Sequence, residues 1–139
     1  MTLLEIQLDN CKNAIGENNL LIKKNEELYD SLIQFKRAIT NSQESFINTT
    51  TEKNKQLSDF DIEITNCRTM VEYSKGMSKV LNKVGIKCVN LTYSALLLSI
   101  DVKLSEYLTK IRECELSNQE LGKTVDELKC RITEERNGK

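Results

Sequence analysis

Proline is absent from all 139 residues, so no position in the chain forbids a helix from continuing. Histidine is absent as well. That removes the commonest general base, the usual partner of a nucleophilic serine or cysteine, and the commonest zinc ligand. Tryptophan is missing and aromatic residues make up only 5%, which leaves little bulky material for a compact core. The five glycines, Gly16, Gly76, Gly85, Gly122 and Gly138, form no phosphate-cradling motif. Five cysteines, an odd number without CxxC spacing, argue against a disulfide framework or a clustered metal site. The expectation is a protein without catalysis and without a cofactor.

Long apolar runs are missing too. No stretch reaches the roughly eighteen uninterrupted apolar residues of a membrane span, and the first residues lack a signal-peptide pattern. The expected setting is therefore intracellular, cytoplasmic or nuclear, with no transmembrane segment. A formal net charge of -1 argues against nucleic acid as a principal partner, and nothing points to a small molecule.

What the chain does have is a seven-residue repeat. One series of core-type sites runs Leu8, Ile15, Ile22, Tyr29, Lys36, Gln43, Thr50, Leu57, Ile64, Val71, and its companion runs Leu4, Cys11, Asn18, Asn25, Leu32, Ile39, Phe46, Lys53, Phe60, Cys67. A second repeat carries Leu97, Leu104, Ile111, Asn118, Val125 and Ile132, with Ile100, Tyr107, Cys114, Leu121, Leu128 and Glu135. Heptads specify helices that bury a seam against other helices. The expected fold is all-α: an elongated coiled coil with a long N-terminal helix over 1–71 and a shorter C-terminal helix over 94–139. A basic junction over 72–93, irregular or β-like, would join them. A helix over residues 2–71 would be roughly 105 Å long at 1.5 Å per residue, too long for one globular core.

Two segments are weaker helix material. Residues 40–56 include three successive threonines, Thr49, Thr50 and Thr51, whose branched polar side chains lose rotamer freedom in a helix. The repeat keeps its phase across them, so a continuous helix is expected, with these residues the place for a hinge if there is one. In the junction, Met77, Val80, Leu81 and Val84 have helical spacing, Gly85 reads as a helix stop, and residues 86–93 are β-branched enough to read as a short strand. Ser94 would then cap the next helix. Lys75, Lys79, Lys83 and Lys87 recur every fourth residue, a possible basic contact on an amphipathic stretch.

Candidate partner-binding residues follow from the seams. Leu21, Leu28, Ile33 and Phe35 flank Ile22, Tyr29, Leu32 and Ile39, a face wider than two helices need. In the second repeat, Leu104, Ile111, Asn118, Leu121, Val125, Leu128 and Ile132 combine branched residues, leucines and a central asparagine. That combination favours parallel pairing of the C-terminal helix, because a buried amide wants a matched polar group across the seam. The expected partners are other coiled-coil proteins or a second copy of the chain. The overall layout resembles that of small rod-like subunits of kinetochore and spindle complexes, although no residue carries over. The resemblance implies a scaffold or connector in cell division or the cytoskeleton. A membrane-trafficking tether using the basic junction and a self-contained homodimeric spacer are the alternatives.

Overall fold

The computed structural model describes residues 2–63, 68–82 and 85–138. Among them there are three helices and no strand: α1 (Leu3–Glu63), α2 (Arg68–Asn82) and α3 (Gly85–Asn137). The all-α expectation holds. Ile64, Cys67, Lys83 and Val84 lie outside the described residues, as do the side chains of Phe60, Val80 and Leu81.

Three local expectations are corrected. α1 is described to Glu63 and α2 from Arg68, and the described part of the junction, 72–82 and 85–93, is helical. Gly85 opens α3 instead of stopping a helix, and Ser94 lies in its interior. Residues 86–93 are helical because Ile86, Asn90 and Tyr93 continue the spacing of Leu97 and Ile100 upstream, and all three are half-buried. Burying that seam outweighs local β preference, which mostly reflects side-chain packing in any case.

Residues 40–56 form unbroken helix. Their threonines return hydroxyl protons to carbonyls one turn back: Thr40 to Lys36 O at 2.9 Å, Thr50 to Phe46 O at 2.9 Å and Thr51 to Ile47 O at 2.8 Å. These three hydroxyls are thus satisfied by the helix itself instead of competing with it. Half-buried Ile39, Gln43 and Phe46 anchor the same stretch.

The chain divides into two units, Met1–Leu32 with Lys103–Lys139, and Ile33–Val102. In the first, α1 and α3 run antiparallel: Glu5 meets Arg136, and Asn18 meets Asn118. Leu4, Leu104, Val125 and Leu128 are buried there, each worth about 1.5–3 kcal/mol of transfer free energy. The start of α1 is a capping box. Thr2 N donates to Glu5 Oε2 at 2.9 Å, and Glu5 N donates to Thr2 Oγ1 at 3.3 Å, pairing amides that a helix end leaves open.

In the second unit α1 and α3 are again antiparallel, with Lys36 Nζ 2.6 Å from Asp101 Oδ1 and the Phe46 and Tyr93 rings 6.3 Å apart. Ile100 is buried, and Ser74 of α2 is wholly so. Val71, Met77 and Ser78 fall on the same side of α2 as Ser74, and each is half-buried. The opposite side of α2 carries exposed Lys75 and Lys79.

Candidate interaction site

The heptad positions are the inward positions. In α1 every described core site from Leu4 to Leu57 is buried or half-buried except Lys53, whose place is taken by Asn54. In α3 the same holds from Leu97 to Ile132, and Glu135 is exposed. Of the candidate partner residues, Leu104, Val125 and Leu128 are buried, while Ile22, Tyr29, Leu32, Ile33, Ile39, Ile111, Asn118, Leu121 and Ile132 are half-buried. Within the single chain, then, the seam assigned to an external partner is largely occupied by the chain's own helices.

The most specific polar feature sits in the first unit. Asn18 Nδ2 donates to Asn118 Oδ1 at 3.0 Å and to Ser117 Oγ at 3.1 Å, and Asn118 Nδ2 donates to Asn19 Oδ1 at 2.9 Å. Asn118 therefore finds its matched polar group on the antiparallel α1 of its own chain. The parallel pair expected for α3 is not what satisfies this amide. Asn25, buried, turns its Nδ2 back to Leu21 O at 2.8 Å and needs no partner across the seam. An asparagine clasp of this kind fixes register, since a slide of one turn strands three polar groups in a half-buried seam.

Charge frames the same unit. Arg136 Nη2 donates to Glu5 Oε1 at 3.1 Å. The Thr2 backbone amide first, and then Arg136, hold the Glu5 carboxyl below the usual carboxylate range. Farther along α3, a 3.1 Å hydrogen bond to Glu106 holds the Lys103 ammonium protonated to higher pH than an ordinary lysine. Lys103 is exposed and Glu5 only half-buried, so these contacts orient the surface more than they stabilise it.

Apolar side chains left bare mark where a partner could add. Leu21 and Leu28 are 48% and 40% exposed on the first unit, and Leu20, Leu108 and Leu116 are exposed as well. Phe35, flanking Leu32 and Ile39, is 49% exposed on the second unit. A groove of about 300 Å³ in the first unit is floored by Tyr29, Leu108 and Ile111 and edged by Glu26 and Asp30. In the second unit, Cys88, Val89, Thr92, Tyr93 and Leu96 line a mainly apolar depression of similar volume.

Of the basic series, Lys75, Lys79 and Lys87 are exposed and Lys83 lies outside the described residues. One helix, α3, contains an eighteen-residue window of mean hydropathy 1.2, of which 6% is buried; by length and composition it could cross a membrane. Sequence reasoning missed this because charged and polar residues interrupt the apolar ones. Among the described residues no three histidine, cysteine or carboxylate groups gather as a metal site would require. Comparison with protein-family models, curated proteins and solved structures matched nothing.

Proposed function

We propose that this chain is a non-enzymatic helical subunit that connects other coiled-coil proteins within an intracellular multiprotein assembly, of the kinetochore or spindle kind. The observation that carries this reading is the apolar face left bare beside a satisfied seam: Leu21 and Leu28 stay exposed while Ile22 and Tyr29 beside them turn inward. A helix pair with its register locked by Asn18 and Asn118 offers that face as a preformed groove wall for further helices. The resemblance of the heptad layout in the sequence to that of rod-like spindle subunits supports a connector over an enzyme or a carrier.

The test is capture of the native assembly with the wild-type chain and with Leu21→Glu/Leu28→Glu. The wild type is expected to recover a fixed set of helical proteins that the variant loses while keeping its helicity. Equal recovery by both would overturn the assignment of this face. A second reading, a membrane tether, is favoured by the hydropathic window of α3 together with exposed Lys75, Lys79 and Lys87. It requires sedimentation with anionic vesicles at moderate salt, lost when Lys75 and Lys79 are exchanged for glutamate.

A further inference from the structure

The first part of α3 carries two apolar stripes. Ile86, Asn90, Tyr93, Leu97 and Ile100 recur at alternating spacings of four and three and are half-buried or buried. Cys88, Leu91, Ala95, Leu98 and Val102 recur at the same kind of spacing, and all five are exposed, Leu91 to 69% and Leu98 to 67%. At about 100° per residue the stripes lie roughly 150° apart, so the second points away from the packed seam. With Val89 and Leu96, each 37% exposed between the two stripes, they make up the apolar part of the segment.

The bare stripe has the width of a helix seam. Lys87, Ser94 and Asp101 border it on one edge and Thr92 and Ser99 on the other, all exposed. Beyond Thr92 and Ser99 lie Val89 and Leu96, each 37% exposed, so what marks the stripe as a seam for helix pairing is its three-and-four spacing and its polar edges.

We propose that this stripe docks a second copy of the chain, α3 against α3, antiparallel about a two-fold axis near Ala95. The proposal rests on reading the chain as a helix-pairing subunit and names one of its partners. A two-fold interface must be self-complementary. About that axis Ala95 meets Ala95, where small side chains allow close approach, Leu91 meets Leu98, and Cys88 meets Val102. Charge selects the direction. In antiparallel pairing, the bordering residues of one edge face each other, which sets Lys87 opposite Asp101 twice. In parallel pairing, Asp101 would face Glu106 of the other copy and Lys87 would face Thr92. Asp101 also accepts from Lys36 Nζ of α1 through Oδ1 at 2.6 Å, which leaves Oδ2 for Lys87 of the second copy.

Sedimentation and light scattering on the full chain test this. The wild type is expected to dimerise, and Leu91→Glu/Leu98→Glu to raise the dissociation constant at least about 100-fold with the helical circular dichroism unchanged. Mild oxidation of Val102→Cys is expected to yield a disulfide-linked dimer through Cys88, abolished by adding Cys88→Ser. A wild type that stays monomeric, a dimer indifferent to the two glutamates, or Cys88–Cys88 linkage in the wild type would overturn the proposal. So would a monomer that sediments with phosphatidylserine vesicles through this stripe. A monomer that still captures partners through Leu21 and Leu28 would leave the connector reading standing without self-pairing. A dimer that captures nothing would do the reverse.

Discussion

Asn18 and Asn118, 100 residues apart in the chain, share a 3.0 Å hydrogen bond in a half-buried seam, and Asn118 passes the chain of bonds on to Asn19. Reciprocal amide bonding at one level of a helix pair is a statement about register. It also makes each partner's removal costly in a way that joint removal is not.

Asn118→Leu and Asn18→Leu are each accordingly expected to destabilise the chain by about 1 kcal/mol, because each takes from the remaining half-buried amide its partner across the seam. Asn18→Leu/Asn118→Leu should recover most or all of that loss by replacing both polar groups with apolar ones. Urea denaturation of the two singles and the double provides the cycle, and strict additivity would show that the clasp carries no coupling.

The capping box makes a prediction about acid. The Glu5 carboxyl is held below its ordinary value in the folded chain, so it binds protons less readily there than when unfolded. Its contribution is fully present above the ordinary carboxylate range and is lost as pH falls through the depressed folded value. Glu5→Gln should therefore lower the melting temperature at neutral pH and match the wild type in strong acid. A difference that persists unchanged in acid would show that the charge on Glu5 is not what matters.

Asn90 sits on the seam of α3 with its Oδ1 buried and accepting no hydrogen bond among the described residues. Asn90→Leu should stabilise the chain by about 1 kcal/mol, since a leucine there removes an unsatisfied acceptor and extends the apolar seam. Thermal unfolding followed at 222 nm reads the shift. A loss of stability would mean that the amide contributes to packing in this unit.

Leu21→Glu and Leu28→Glu should each cost the isolated chain no more than about 1 kcal/mol, because these side chains are already 48% and 40% exposed. If either costs several times that, the face is part of the chain's own core and not a reserve for other proteins.

Much of this was legible from spacing alone. The α1 heptads name the inward residues correctly from Leu4 to Leu57, apart from the exchange of Lys53 for Asn54, because period seven fixes which face is buried. Spacing does not fix direction. A heptad marks a face and leaves open whether the opposing helix runs parallel, antiparallel or in the same chain. Asn118 therefore pointed to a partner amide without disclosing that Asn18 and Asn19 supply it. The start of α3 was misread for a different reason: Ile86, Val89 and Tyr93 carry strand-like side chains, and that local preference hid a heptad phase already shared with Leu97 and Ile100. The exposed stripe from Cys88 to Val102 was hidden with it, since a second seam can be recognised only once the first has been assigned.

The ion pair between Glu5 and Arg136 has a mechanical corollary. A chain that enters the first unit at residue 5 and leaves at residue 136 does both at one end of the helix pair. Tension applied across those two points peels α1 from α3 like a zipper, loading first the Glu5–Arg136 contact, then the packing of Leu4 and Leu128, and only later the asparagines at 18 and 118. Contacts broken in sequence yield at much lower force than contacts sheared together. A load-bearing role would therefore require the pull to enter elsewhere on the unit, and the clasp would act as a catch that stops the peel part-way.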